Sequence, residues 1–196
     1  MARRRSSGAR RRGLGIALGA VVAIFSYLAG IASAPAVPAF LPKADGVYFT
    51  RAGEHPERAV IGLIDGAEKT LDVAVYSLTH DGIVQAIRRA KARGVAVRVI
   101  TDAEQVQGKA QNAAVRALLS DDIPVKVNEH SGLMHLKLAI ADGRRAAVGS
   151  FNYTKAASTQ NDEIVVLLSD PEAVRHMARE FDRLWNDREA FRPFRP

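Results

Sequence analysis

Between residues 70 and 128, short β-rich runs alternate with segments that have the 3.6-residue apolar spacing of an amphipathic helix. The runs with strand character are TLDVAVYSL at 70–78, VAVRVITD at 95–102 and PVKVN at 124–128. The segments with helical spacing are DGIVQAIRRAKARG at 81–94 and about 104–119. Because strands and helices alternate, the pattern predicts an α/β domain with a sheet between layers of helices.

The flanking sequence adds further elements of both kinds. A short strand near 47–50 and a helix over about 55–68 are predicted before this region, and a strand at 163–169 and a helix over about 171–189 after it. The chain has 196 residues, 47% of them hydrophobic, which is enough for one domain with a core but not for two. We therefore predict a single domain over 45–196.

The first 44 residues differ in composition from that domain. Arginines crowd the first twelve positions, and nineteen uncharged residues at 14–32 and a proline-containing stretch at 33–42 follow them. This order is typical of an export signal, and the apolar run is also close to the roughly 20 residues that span a bilayer. We interpret 1–36 as a signal peptide or an uncleaved membrane anchor and 37–44 as a linker. Either alternative places the domain across the cytoplasmic membrane, in the periplasm or outside the cell.

The formal net charge of +7 is mostly a property of this leader. Six of the 28 basic residues lie in the first twelve positions, so the remainder carries 22 basic against 21 acidic side chains. Overall basicity therefore says little about the substrate. The chain has no cysteine, which excludes disulfide scaffolds and thiolate metal sites.

The stretch HLKLAIADGRRAAVGSFN at 135–152 concentrates polar side chains within two predicted strands. Because residues two apart in a strand point the same way, His135 and Lys137 are expected to share a face with small alanines. The leucines and the isoleucine between them are expected to form the opposite, buried face. The alternation predicts one face for the core and the other for chemistry.

Asp142-Gly143 is a strong turn signal, so the chain is expected to return as an antiparallel neighbour. A two-residue loop would set His135 opposite Ser150, whereas a four-residue loop would set Lys137 opposite Ser150 and His135 opposite Asn152. Either even-numbered loop gathers the four polar side chains on one face, and an odd-numbered loop would scatter them.

An imidazole, an ammonium, a hydroxyl and an amide suit the chemistry of a phosphodiester. The imidazole can act as nucleophile or general acid near neutral pH, and the other three groups can hold phosphate oxygens as charge develops. The sequence has no HxxxH, carboxylate cluster or thiolate set, so no metal site and no cofactor are predicted.

These residues reproduce, position by position, the HKD motif of the phospholipase D superfamily. The matching residues are His135, Lys137, Asp142, Gly149, Ser150 and Asn152. The similarity extends to DVAVYSLTHDGIVQAI at 72–87 and to Glu163, and it covers roughly 45–190. The chain most resembles small bacterial endonucleases with one motif per chain. The resemblance implies a phospholipase D/nuclease-like fold, with a mixed β-sheet flanked by helices on both faces.

The resemblance also implies that two motifs form one composite site, so a chain with one motif is expected to act as a homodimer. One His135 would attack phosphorus and the second copy would protonate the leaving oxygen. Lys137, Ser150 and Asn152 would bind the phosphate. Glu163 would orient an imidazole, and Asp142, grouped with the catalytic residues, would support the turn.

Four further residues are candidate substrate contacts. His80 follows a predicted strand end, and His130 lies in the loop before the motif. Arg144 and Arg145 lie at the tip of the predicted hairpin, where they are expected to flank the phosphate site and bind a polyanionic backbone. For each, a solvated surface position is the alternative interpretation.

Three functions remain open from the sequence. A DNA or RNA endonuclease of low sequence specificity fits the small size, the single motif and the lack of long lipid-binding insertions. A phospholipase D or cardiolipin-type hydrolase fits the same motif and the membrane anchor. A catalytically inactive nucleic-acid-binding module is disfavoured because every motif position is intact.

Overall fold

A mixed eight-stranded sheet organises residues 44–195, the part of the chain that the computed structural model describes. The strands are β1 Ala44–Phe49, β2 Thr70–Val75, β3 Ala96–Thr101, β4 Val125–Asn128, β5 Lys137–Ala141, β6 Arg145–Gly149, β7 Ile164–Leu168 and β8 Phe191–Pro193. The helices are α1 Pro56–Asp65, α2 Asp81–Ala92, α3 Lys109–Ser120, α4 Lys155–Thr159 and α5 Pro171–Asn186, with a short 3-10 helix at Gln105–Gln107.

The strand order is β1-β7-β6-β5-β2-β3-β4-β8. Strands β2, β3 and β4 are parallel, and every other neighbouring pair is antiparallel. The predicted mixed α/β sheet with helices on both faces is confirmed. The short elements β8 and α4 were not predicted, because three to five residues are too few to show a clear apolar period.

Two apolar cores cover the two faces of the sheet. The larger core joins the sheet to α1, α2 and α3, and the smaller one joins it to α5 through Val174, Phe181 and Leu184. Strand β5 contributes to both, because its alanines lie in the larger core and Leu138 and Ile140 in the smaller one. The prediction that one face of this strand is reserved for chemistry is therefore wrong: helices bury both faces.

The polar residues gather instead at one end of the central strands, along the boundary where neighbouring strands begin or end. Val75 at the end of β2 pairs with Lys137 at the start of β5. Gly149 at the end of β6 pairs with Val165 at the start of β7. The ends of β2 and β6 and the starts of β5 and β7 therefore share one boundary, which we call the polar edge.

The hairpin between β5 and β6 has a three-residue loop, since Ala141 pairs with Arg145. The predicted loops of two or four residues are wrong, because both Asp142 and Gly143 take positive φ angles, 58° and 61°, and Arg144 completes the turn through a hydrogen bond to Ala141. The odd loop does not scatter the motif. His135 precedes β5 and Ser150 follows β6, so strand alternation does not govern where these side chains point.

Within residues 44–195, none of the helices combines the length and the apolar character needed to cross a bilayer. The predicted leader at 1–36 and nearly all of the predicted linker lie outside the described residues.

Candidate active site

His135 and Lys137 are in direct contact at the polar edge. The ammonium nitrogen of Lys137 lies 3.1 Å from Nδ1 of His135 and donates a 2.8 Å hydrogen bond to the carbonyl oxygen of the same residue. The imidazole is exposed, whereas Lys137 is only 9% exposed. The site thus presents an accessible imidazole in contact with a largely buried ammonium.

The backbone is tied down on both sides of His135. On one side, the amide of Met134 donates a 3.0 Å hydrogen bond to the fully buried carboxylate of Asp102. On the other, the amide of Tyr76 donates a 2.9 Å bond to the carbonyl of Leu136. Because both neighbours are anchored to the ends of β3 and β2, His135 is held in place although it lies in a loop.

Tyr76 is a site residue that the sequence analysis did not single out. Its ring centroid lies 4.7 Å from that of His135, with an angle of 55° between the rings, and 5.2 Å from the ammonium of Lys137. Its hydroxyl accepts a 2.9 Å hydrogen bond from Gln105. The ring therefore packs against both motif side chains, and its face attracts the positive charge of Lys137. The available signal was its position immediately after a buried parallel strand.

The protein shifts the titration of Lys137. Burial lowers the pKa of its ammonium below the ordinary value of 10.5, and the negative charge of Glu163 opposes that effect. The ammonium is therefore poorly solvated and available to an anion that enters the site.

Ser150 and Glu163 form the second contact of the polar edge. The hydroxyl of Ser150 donates a 2.5 Å hydrogen bond to Glu163 and accepts one of 3.2 Å from the amide of Ile164. The other carboxylate oxygen of Glu163 accepts a 3.0 Å bond from Asn161. Within residues 44–195, Glu163 makes no hydrogen bond to His135, so the predicted orienting contact is not formed inside one chain.

Gly149 allows Ser150 to reach this position. The backbone of Ile164 and Val165 lies so close that a Cβ on Gly149 would overlap the carbonyl oxygen of Ile164. A larger residue would push β6 away from β7 and separate the hydroxyl of Ser150 from Glu163.

Asn152 is half-buried between the buried side chains of Phe151 and Tyr153. Among the described residues, its side-chain carbonyl oxygen has no hydrogen-bond partner. A backbone bridge between Leu78 and Tyr153 ties this segment to the residues that follow β2. The structure thus brings Asn152 to the polar edge with hydrogen-bonding capacity to spare.

Asp142 lies at the opposite end of β5 and is not part of this site. Its carboxylate accepts hydrogen bonds of 2.6–3.2 Å from the amides of Glu68, Lys69 and Thr70. Burial tends to raise the pKa of this carboxyl, but these amides and Arg145 lower it overall. The prediction that groups Asp142 with the catalytic residues is therefore wrong, because its side chain stabilises the hairpin at a distance from His135.

The hairpin arginines are also remote from the motif. Arg145 donates a 2.9 Å hydrogen bond to the carbonyl of Gly66, and Arg144 is exposed in the loop. Strand β5 separates both from His135 by five residues, about 16 Å at 3.3 Å per residue. The prediction that they flank the phosphate site is wrong, because the tip of the hairpin lies at the opposite ends of β5 and β6 from the motif.

The two candidate histidines serve other local contacts. His80 caps α2 by accepting a 3.3 Å hydrogen bond from the amide of Ile83. The ring of His130 packs edge-on against Phe191, with 5.4 Å between the centroids. Neither hydrogen-bonds to His135 or Lys137 within the described part of the chain.

Two surface cavities adjoin the motif residues. One, of about 330 Å³, lies between β5, β6 and α5 and is lined by His135, Lys137, Leu136, Val148 and Met177, among others. The other, of about 260 Å³, is lined by Ser150 and Glu163 together with Phe49 and Arg51. The site is therefore an open surface depression that can admit part of a large substrate.

Among residues 44–195, no three histidine or acidic side chains converge as a metal site would require. The groups that surround the imidazole are an ammonium, a hydroxyl, an amide and one carboxylate. Together they can bind an anion and exchange protons.

Comparison with known sequences finds related proteins. Residues 60–185 match the family model described as "Cardiolipin synthase, PLD-like domain". A mitochondrial cardiolipin hydrolase of Chlamydomonas reinhardtii is 36% identical over 123 residues, which cover 63% of this chain and 54% of that protein. A phospholipase D of Rickettsia conorii is 32% identical over 127 residues, covering 65% and 60%. The chain thus spans little more than half the length of these curated relatives.

Among solved structures, the fold is similar to that of Nuc from Salmonella typhimurium, a phospholipase D family member. The TM-score is 0.72 and the sequence identity 29%, and the match covers 80% of this chain and all of that one. The similarity therefore includes the whole architecture of Nuc.

Proposed function

Because the chain belongs to the phospholipase D-like family described as cardiolipin synthase, PLD-like domain, we propose that it is a phosphodiesterase that acts through a phosphohistidine intermediate. The single observation that carries this proposal is the contact of 3.1 Å between the ammonium of Lys137 and the imidazole of His135. An accessible imidazole beside a fixed cation pairs a nucleophile with the charge that attracts its anionic substrate.

In the first step, a ring nitrogen of His135 attacks phosphorus and forms a P–N bond as the P–O bond to the leaving group breaks. Lys137 stabilises the negative charge that develops on the non-bridging oxygens. The hydroxyl of Ser150 and the amide of Asn152 supply neutral hydrogen bonds to the same oxygens. In the second step, water attacks phosphorus, breaks the P–N bond and restores the imidazole.

The leaving oxygen needs a proton, and a symmetric homodimer supplies it. In this arrangement the partner's His135 donates the proton in the first step and accepts one from water in the second. The contacts of Glu163 within one chain are compatible with this scheme, because they go to Ser150 and Asn161 and leave the imidazole free to face a second copy.

A low-specificity endonuclease is the activity we propose first. The open shape of the depression supports it, since a polymeric backbone must lie across the site rather than enter a closed pocket. The small domain and the single motif also fit this activity. DNA and RNA backbones carry the diester that the four motif groups suit.

Hydrolysis of a phospholipid headgroup is the second candidate. The observation that favours it is the exposure of two leucines beside the nucleophile, with Leu133 46% and Leu136 40% exposed. Exposed apolar side chains next to a catalytic group suit contact with acyl chains at a membrane surface. Two of the relatives are named cardiolipin hydrolase and phospholipase D, which agrees with this alternative.

A side-by-side assay tests both candidates. The purified chain is incubated in EDTA with single-stranded DNA, plasmid and RNA, and separately with cardiolipin-containing vesicles. Cleavage of nucleic acid is the expected result, and release of phosphatidic acid with intact DNA supports the second candidate. Replacing His135→Asn should abolish either activity with unchanged circular dichroism, and mere weakening would remove His135 from the nucleophilic role.

The composite site is tested by mixing wild-type chains with His135→Asn chains. Light scattering should give twice the mass of one chain. Heterodimers of the two retain only one intact imidazole, so they should have far less than half of the wild-type activity, which independent sites would keep. Full activity in a monomer would contradict the shared site.

A further inference from the structure

A second cluster of arginines lies beside the last strand of the sheet, away from His135. Arg116 on α3, Arg192 on β8 and Arg195 after it surround a cavity of about 220 Å³, together with the amide side chains of Gln107 and Asn112. We call it the arginine pocket. Its volume is below the roughly 300–1,000 Å³ of pockets for drug-sized ligands, so it suits a small charged group.

The charges of the arginine pocket are not balanced by its neighbours. Arg192 forms an ion pair with Glu129. No carboxylate of residues 44–195 lies within ion-pair distance of Arg116 or Arg195. The pocket therefore carries a net positive charge of about two, which favours an anion.

One of these guanidinium groups is already oriented. Nε of Arg116 donates a 2.8 Å hydrogen bond to Oδ1 of Asn112. The side-chain nitrogen Nδ2 of Asn112 donates in turn a 3.1 Å bond to the backbone carbonyl of Val106. Its other two guanidinium nitrogens bond to no group of residues 44–195, so they can form the paired hydrogen bonds that guanidinium makes with phosphate.

The pocket lies near the same boundary of the sheet as the motif. Arg192 pairs with Val127, one residue before the end of β4, and Ala103, which lines the pocket, follows the end of β3. Four strand steps, from β5 through β2, β3 and β4 to β8, separate it from the motif. At about 4.8 Å per step the lateral separation is roughly 19 Å.

We infer that the arginine pocket binds a second backbone phosphate of a nucleic acid whose scissile phosphate lies at His135. This inference rests on the proposed nuclease function. At 3.4 Å per nucleotide, 19 Å corresponds to about five or six stacked nucleotides of one strand, and to fewer in an extended strand. Strands long enough to reach both sites gain affinity, and a minimal diester gains none.

The test compares two double variants that remove equal charge. Arg116→Gln with Arg195→Gln alters the pocket, and Arg144→Gln with Arg175→Gln alters exposed positions that line neither site cavity. Binding of a 20-nucleotide and a 4-nucleotide DNA strand is measured across salt concentrations in a His135→Asn background. Hydrolysis of bis(p-nitrophenyl) phosphate is measured with His135 intact.

The pocket variant should bind the 20-nucleotide strand about tenfold more weakly, with a salt slope reduced by roughly 0.7, the value for one phosphate contact on a single strand. Its binding of the 4-nucleotide strand and its hydrolysis of the small diester should match the control variant. If the two variants bind the 20-nucleotide strand with equal affinity, the arginine pocket does not bind a backbone phosphate and this inference is overturned, whereas the proposed nuclease function is unaffected.

Two other outcomes separate the remaining explanations. If the chain with His135 intact hydrolyses the small diester but neither binds nor cuts DNA, the proposed nuclease function fails first, and this inference fails with it. If the pocket variant loses binding only to vesicles of anionic phospholipid, the pocket binds a lipid headgroup and the inference is overturned.

Discussion

The ammonium of Lys137 lies against Nδ1 of His135, the ring nitrogen closer to the backbone. When the ammonium donates to Nδ1, a neutral imidazole carries its proton on Nε2. That tautomer cannot attack phosphorus through Nε2, because the proton occupies the lone pair of that nitrogen. Under the proposed mechanism, an entering phosphate draws the ammonium away and frees Nδ1 to hold the proton. Substrate binding and activation of the nucleophile are thereby linked through one lysine.

Replacing Lys137→Met should reduce kcat by about 10²–10³, the usual effect of removing one group that stabilises developing charge. The thermal midpoint should stay the same or rise, because the variant removes a charge that burial disfavours. Steady-state kinetics and differential scanning calorimetry measure the two effects. A large loss of stability with little loss of kcat would make Lys137 a structural residue.

The lowered pKa of Lys137 predicts a pH dependence. Activity should fall on the alkaline side at a pH below 10.5, as the ammonium loses its proton. In Lys137→Arg, whose guanidinium stays protonated, any remaining activity should persist to higher pH. The unfolded chain binds the proton more tightly than the folded one, so wild-type stability should rise relative to Lys137→Met as pH increases toward 10.5. Identical alkaline limbs in the wild type and the arginine variant would refute this role.

Tyr76 should act through its ring rather than its hydroxyl. Tyr76→Phe keeps the contact with His135 and loses only the hydrogen bond from Gln105, so kcat should change less than threefold, about 0.6 kcal/mol. Tyr76→Leu removes the aromatic face that packs against His135 and Lys137 and should lower kcat about tenfold. Equal kinetic effects of both substitutions would argue against a role for the ring.

Gly149→Ala should destabilise the fold and disable the site together. The added methyl group meets the backbone of Ile164, and overpacking of this kind typically costs about 1–3 kcal/mol. Chemical denaturation gives the loss of stability, and phosphate-ester hydrolysis at a temperature where the variant stays folded gives the loss of activity. Ala147→Gly, at a buried position of the same strand, is a control that should lose stability without the same loss of activity.

Asp142→Ala should lower stability by about 1–3 kcal/mol, because three backbone amides lose a charged acceptor and water replaces it only in part at this exposed turn. The folded fraction should keep its kcat, since the side chain lies at the far end of β5. The lowered pKa of Asp142 means that its contribution is present above pH 3.8 and is lost as pH falls through the folded value, so the two proteins should converge in acid. A variant that folds normally but is inactive would return Asp142 to the catalytic group.

Much of the fold followed from local patterns, whereas the geometry of the site did not. The alternation of apolar runs is a local signal, and it predicted the order of strands and helices through α5 except for the short helix α4. The face on which His135 lies depends on where β5 begins and on what covers its alanines, and both are set by helices distant in sequence. The predicted length of the hairpin loop was wrong by one residue. Asp142 and Gly143 both accept positive φ, and this property also suits a two-residue turn.

The contacts of Tyr76 and Asp102 could not be read from the sequence for a similar reason. The antiparallel pairing of β2 with β5 brings Tyr76 beside His135, and the parallel pairing of β3 with β2 places Asp102 within reach of Met134. The motif residues were identified from their spacing, but their neighbours were determined by the sheet.

The anchoring of the loop before His135 has a consequence for a newly made chain. Tyr76 and Asp102 hold the two neighbours of this histidine, and the side chain of Asn128 donates a 3.1 Å hydrogen bond to the carbonyl of Gly132, earlier in the same loop. Each of the three follows or ends a different parallel strand. The nucleophile acquires its surroundings only when all three strands have assembled and β5 has joined them. An incompletely folded molecule therefore carries the full motif but lacks the assembled centre that the proposed mechanism requires.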